Sequence, residues 1–456
     1  MREITFHSSM ELLNQGFDWA KKQAFLYVHD EGKAGKWYEA ALPGRNAFCM
    51  RDVSHQAEGA AAMGLCEHTK NMLLLFAKSI SKEKDYCGWW EITGDGLPCP
   101  DDYDNDNDFW YNLPGSFEVI RACYMEYLWT GDEAYITDPD FLNFYRLSCN
   151  EFVAQWDKDG DGVMEHYPEQ GRRGIATYNE VDIMLKVGGD MLASQYAGYG
   201  CAAALFLAAG DTEEAGRCLD KQKYLKDQYL SVWHRADGKG FYGALMNDGT
   251  FMQEYDLEGN FLPIRFGILD GEKEMKEAIA QLAAHEPANV EGRSYYPQIF
   301  YRCGEYEKGK KYLLSLCDPA LYRKEYPEVS YALVGTVTNW LMGIGADADG
   351  VVSTCSALED QEWAALEKVS VRNTVLDVKH WGRTETVLTN LGGENIFWKA
   401  AFIGRHDYAV CGGKKCRCVW EQNAAGETIS CVKVEVKAGD EVMIKIYKET
   451  EREDEG

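Results

Sequence analysis

Acidic residues stand just ahead of two apolar helical segments: Glu180 and Asp182 in YNEVDIMLKVGGD, and Glu325 and Glu328 in KEYPEVSYALVG. A carboxyl group in a partly dry pocket keeps its proton to higher pH and can act as a general acid, while a second can activate water. Such a pair can cleave a glycosidic bond, although each acid taken singly is better explained as a surface residue. Asp190 opens the helix after the first group, where capping or the helix dipole accounts for it alone.

Two further segments could bind what the acids would cleave. ALPGRNAFCMRDVSHQ brings Arg45, Arg51, Asp52 and His55 together behind a Pro-Gly loop; a guanidinium and a neighbouring carboxylate can grip adjacent hydroxyls, or the guanidinium can hold a carboxylate. A structural ion pair explains the same residues equally well. WWEITGDGLPCPDDYDNDNDFWYNLPGSF mixes six aspartates, Asp108 among them, with Trp89, Trp90, Trp110 and Tyr111. Sugars present apolar faces to aromatic rings and hydroxyls to carboxylates, so this mixture suits carbohydrate. The bland reading is a solvated acidic loop beside core aromatics. Asp157, Asp159, Asp161 and Gly162 follow the opening of a calcium loop, but the twelfth position is Pro168 where a bidentate Glu belongs. An Asp-Gly turn is the expectation there, with no metal and no cofactor.

The balance of 47 basic against 74 acidic residues, a net charge of −27, repels nucleic acid and anionic membrane surfaces. Carbohydrate is the expected partner, and a homo-oligomer is compatible with the sequence. The 15 cysteines show no disulfide-framework spacing and read as free thiols. No basic flank precedes an apolar run at the N-terminus and no 18 apolar residues run uninterrupted, so a cytoplasmic protein is expected, unless a signal peptide was trimmed from the chain.

Elements must hold these residues together. Apolar residues recur at helical spacing up to about residue 345, with a first helix from Ser8 or Ser9 to Val28 and a second from Ser54 to Phe76. Others begin near Pro114, Asp140, Gly189, Thr212, Glu272, Ser294, Glu305 and Val329, and Phe241 to Tyr255 reads as a hairpin around Asn247-Asp248-Gly249. After residue 350 the period falls to two, as in VSVRNTVLDVKHW and ETISCVKVEV. The expected architecture is mainly α: helices paired in a closed double ring over residues 1–345, an antiparallel β-sandwich over 346–448 and an acidic tail over 449–456.

With MRDVSHQ, DFWYNLP, GGDMLASQYAGY and EYPEVSYALVGTV in place, the chain resembles the six-hairpin glycosidases. Among them it looks most like glycoside hydrolase family 154, which includes exo-acting β-glucuronidases. The resemblance implies an (α/α)6 toroid and an inverting hydrolase that removes a terminal sugar, with Arg51 and Asp52 holding that sugar. It also implies Asp182 as the acid, Glu180 as the next choice, and Glu328 as the base. His55, Asp108, Trp110 and Asp190 join Arg45, Arg51 and Asp52 as expected sugar contacts, and a uronate would need Arg45, Arg51, Arg172 or Arg173. Three alternatives stand beside it. One is an exo-glycosidase on a neutral sugar such as glucose or rhamnose; another is a polysaccharide lyase drawing on Tyr295, Tyr296 or His55; the third is a glycan-binding protein without catalysis.

Overall fold

The computed structural model describes residues 4–180 and 185–447. Its helices are α1 (Glu11–Phe25), α2 (Met50–Ala62), α3 (Cys66–Ser79), α4 (Pro114–Thr130), α5 (Ala134–Thr137), α6 (Pro139–Cys149) and α7 (Glu151–Trp156). They continue with α8 (Gly189–Ala208), α9 (Thr212–Gln228), α10 (Glu258–Arg265), α11 (Met275–Ala283), α12 (Val290–Arg302), α13 (Tyr306–Cys317) and α14 (Pro327–Gly335). Six of them pack in succession, α2 on α4, α4 on α8, α8 on α10, α10 on α12 and α12 on α14, and α14 returns to α2. The remaining long helices lie against this inner set: α1 on α14, α3 on α2 and α4, α6 on α4, α9 on α8, α11 on α10 and α13 on α12. α8 is 20 residues long and apolar enough to cross a membrane by length and composition, yet α4, α9 and α10 enclose it; a helix apolar all round is what such burial requires.

The starts of the six inner helices meet one another: those of α2, α12 and α14 line one cavity, Gly115 of α4 faces Met50 of α2, and Gly189 of α8 faces the Gly259 carbonyl of α10. The loops that enter those helices are long and carry short two-stranded sheets, such as Ala47–Cys49 with Glu91–Thr93 and Tyr111–Asn112 with Arg173–Ile175. Close approach between inner helices needs missing side chains. A Cβ on Gly59 of α2 would stand 2.0 Å from the Tyr331 carbonyl oxygen of α14, so only glycine lets these two helices touch backbone to backbone.

The β-rich region has two sheets. One contains seven strands in the order Thr5–Ser8, Trp363–Val371, Thr374–Trp381, Glu385–Asn390, Glu441–Ile446, Tyr408–Cys411 and Lys414–Arg417. The other contains five, in the order Gly345–Ala346, Val352–Cys355, Ile396–Ile403, Thr428–Val436 and Val419–Gln422. Pairing is antiparallel except between Val352–Cys355 and Ile396–Ile403. The N-terminal strand belongs to this region rather than to the helices, pairing Thr5 with Glu367 and Phe6 with Leu366. Phe6 also meets Phe17 of α1 at 5.2 Å, and one apolar core runs from the helices into both sheets.

Several expected elements move. The helix expected from Ser54 to Phe76 is two, broken at Gly64, whose φ of +80° admits glycine readily and other residues poorly. α10 is missing from the sequence reading because its eight residues include Pro263. The hairpin near residue 248 is present, and its strand Ala244–Met246 also pairs with Leu185–Gly188. All 15 cysteines are free.

Candidate active site

Where the inner helices begin, a cavity of about 420 Å³ is lined by Arg45, Arg51, Asp52, Trp90, Glu91, Asp102, Trp110, Glu180, Glu291, Arg323, Tyr326 and Glu328, among others. Five of the six inner helices carry an acid in the first turn: Asp52, Asp190, Glu258, Glu291 and Glu328. The positive ends of the helices favour carboxylates there, so the ring concentrates acids at one mouth.

Arg51 is the hub. Its Nη1 lies 3.1 Å from Glu180 and its Nε 3.4 Å from Glu291, its Nη1 donates to the Tyr178 carbonyl at 3.3 Å, and its plane rests near the rings of Trp90 and Tyr178. Asp52 is buried and accepts from the Cys49 thiol at 2.9 Å. Burial pushes its carboxyl up to about 7 against the pull of Arg51. Glu328 is 5% exposed, and its Oε2 is buried without a hydrogen-bond partner among the described residues. Burial first, then the nearby Asp52 and Glu291 carboxylates, hold its proton well above the usual carboxylate range. Two neighbouring acids with raised proton affinity in a cleft are the arrangement that proton transfer near neutrality requires.

Arg45 closes another wall. Its Nη2 lies 2.7 Å from Glu91 and 3.0 Å from Asp102, and burial together with Asp102 raises Glu91 to about 9. These two acids and Cys99 stand close enough to hold a metal ion, but the guanidinium fills the cation's place among them. Arg323 lines the same cavity with no ion pair among the described residues. Its guanidinium lies over the rings of Tyr322 and Tyr326 at 5.4 and 5.3 Å, on a backbone with φ of +57°. A left-handed arginine is strained by about 1–3 kcal/mol and is found where surrounding structure holds it.

Of the expected site residues, Arg45, Arg51, Asp52, Trp110, Glu180 and Glu328 line the cavity. Asp182 lies outside the described residues. His55 does not reach the cavity: it is 1% exposed, its Nε2 bonds Ser294 Oγ at 2.8 Å and its Nδ1 meets Arg265 at 3.2 Å. Ser294 donates to the Glu291 carbonyl, so Nε2 carries the imidazole proton and Nδ1 accepts from Arg265. Asp190 is fully buried and accepts from Thr177 Oγ1 and the Tyr178 N–H, which fixes the loop bearing Glu180 rather than a sugar. Asp108 is exposed and accepts from Arg172 at 2.9 Å, while Arg173 pairs with Asp85 at 2.7 Å; none of these three lines the cavity. Tyr295 and Tyr296 are buried in the core, which removes the groups advanced for a lyase. At the calcium-like turn Asp157 accepts from the backbone N–H groups of Gly160, Asp161 and Gly162, and Lys186 lies between Asp159 and Glu165 at 2.8 and 2.7 Å. An ammonium thus takes the cation's position. Nothing in the sequence marked Glu91 or Arg323, and Asp102 stood out only as one of the six aspartates of its loop. Glu291, also missed, had a usable signal, an acid two residues after the capping Asn289.

No protein-family model and no curated protein matches the sequence. Solved structures do. A glycoside hydrolase family 78 rhamnosidase of Bacillus sp. GL1 superposes with a TM-score of 0.59 at 14% identity over 85% of this chain and 40% of its own. An α-L-rhamnosidase from Dictyoglumus thermophilum gives 0.64 at 10% over 97% of this chain and 50% of its own. A Klebsiella oxytoca rhamnosidase with rhamnose bound gives 0.53 at 12% over 72% and 64%. The chain shares their fold. It spans half or less of the first two proteins' length.

Proposed function

We propose that the chain is a glycoside hydrolase whose inner helices form an (α/α)6 toroid and whose cavity removes a terminal sugar, with a β-linked glucuronate as the preferred residue. The observation that carries this reading is Glu328, a buried carboxyl with an unpartnered oxygen beside Asp52 in a cavity walled by tryptophans and carboxylates. The fold shared with sugar-cleaving enzymes supports it. Because Glu328 keeps its proton, it is the donor to the departing oxygen, which reverses the base role implied by resemblance. The carboxylates paired with Arg51, Glu180 and Glu291, are placed to take a proton from water, and Asp182 stays in this set by its position in the sequence. Asp52 and Arg51 bind the sugar hydroxyls.

For a uronate, Arg45 and Arg51 are poor partners because acids already occupy both, Glu91, Asp101 and Asp102 on Arg45 and Glu180 and Glu291 on Arg51. Arg323, with no ion pair among the described residues, is the cation left to receive the substrate carboxylate in a cavity otherwise rich in acids. That same excess, six carboxyls against three guanidiniums in the lining, favours a second reading with a neutral terminal sugar such as rhamnose. A panel of nitrophenyl glycosides decides. Release from the β-glucuronide above the glucoside and rhamnoside supports the first reading, release from a neutral glycoside alone supports the second, and no release from any defeats both.

A further inference from the structure

The inner helices enclose a second mouth at their C-terminal halves. There, against residues 339–345 and the strand Val352–Cys355, a cavity of about 570 Å³ opens, on the far side of the helices from the acids described above. Its charged wall is Arg265, the last residue of α10, only 4% exposed. One guanidinium nitrogen, Nη2, donates to His55 Nδ1 at 3.2 Å, the guanidinium carbon lies 4.9 Å from the Tyr295 ring centre, and Nε is buried with no hydrogen-bond partner among the described residues.

No carboxylate among the described residues forms an ion pair with Arg265. The other two arginines of the wall are matched, Arg121 with Glu58 at 3.1 Å and Arg302 with Asp270 at 2.9 Å. Taking a charge out of water costs several kcal/mol, which the carbonyl end of α10 and the Glu58 and Glu118 carboxylates, beyond ion-pairing distance, offset only in part. The lining has three guanidiniums against two carboxylates, the reverse of the acid mouth and against the trend of a chain at −27. Tyr196 and Trp340 add ring faces, and Gln222 adds an amide. Rings and amides around one unpaired cation suit a polyhydroxylated body that carries a single anionic group.

We propose that this cavity is a second ligand site, which binds a sugar acid or a sugar phosphate with its anionic group on Arg265. The site is separate from the acids assigned to hydrolysis, so the inference stands whether or not the chain cleaves glycosides. Calorimetric titration of the full chain with glucuronate, glucose 1-phosphate and glucose tests it. Binding of either anion, with no binding of glucose, is expected, and the anion that binds identifies a carboxylate or a phosphate site. Arg265→Gln should abolish the anion binding that Arg323→Gln leaves intact, which separates this site from the acid-lined cavity. Because replacing Arg265 could disturb the core, Gln222→Glu provides a milder variant: a new negative charge in the wall should weaken the anion by about tenfold or more. Absence of anion binding, or an affinity that Gln222→Glu leaves unchanged in a folded protein, overturns the proposal.

Discussion

At the scale of single residues, the proposed chemistry depends on which groups hold protons and which hold charge. Burial places the Asp52 carboxyl at about 7, above its ordinary 3.8. The folded protein therefore binds that proton more tightly than the unfolded chain, and this contribution to stability is lost as pH rises from about 4 through about 7. Asp52→Asn cannot ionise, so its melting temperature should fall less between pH 5 and pH 8 than that of the unaltered protein; an equal or steeper fall would contradict the assignment. The same variant should lose turnover by orders of magnitude, since a hydroxyl-binding carboxylate is gone. Near-normal activity would reduce Arg51 and Asp52 to a structural pair. Arg323→Gln should cost a glucuronide substrate about tenfold or more in kcat/KM and leave a glucoside nearly unchanged, whereas equal losses on both would remove Arg323 from carboxylate recognition. Arg323 was not legible in the sequence, because an arginine in a Tyr-Arg-Lys-Glu-Tyr run carries no motif and its place in the cavity lining exists only in three dimensions.

At the scale of elements, the site is assembled by helix ends. The density of acids in MRD, GGD and YPEV was visible as sequence, and so were the starts of α4, α8 and α9, where proline, paired glycines and an Asp cap mark the boundary. What alternation and periodicity could not reveal is that these starts share one mouth. His55 and Asp190 show the limit: both lie in segments that build the site, yet packing turns one toward Arg265 and the other toward the Thr177 loop. The contact between α2 and α14 sets the spacing of Asp52 and Glu328. Gly59→Ala would drive a methyl into the Tyr331 carbonyl, and such overpacking costs about 1–3 kcal/mol. Chemical denaturation should register that loss, with activity falling further than stability as the two acids separate. A variant of undiminished stability would mean the helices move apart freely.

At the scale of the whole molecule, strands and helices share one core, and the chain's first described strand is an edge of the C-terminal sheet. The switch from helical to alternating periodicity near residue 350 was legible, but the return of Thr5–Ser8 to that sheet was not, since four residues state no partner. A boundary drawn at residue 345 therefore cuts through a joined structure. Calorimetry should show one cooperative transition, and two separable ones would contradict the continuous core. The central claim is that this molecule breaks a glycosidic bond by proton donation from Glu328. Its most direct test compares Glu328→Gln with the unaltered enzyme on two glycosides of the same sugar, one with an alkyl leaving group and one with a dinitrophenyl group that departs without a proton. A loss of about a thousandfold or more is expected on the alkyl glycoside and a far smaller loss on the activated one. Equal losses on both, or undiminished hydrolysis of the alkyl glycoside, would contradict it.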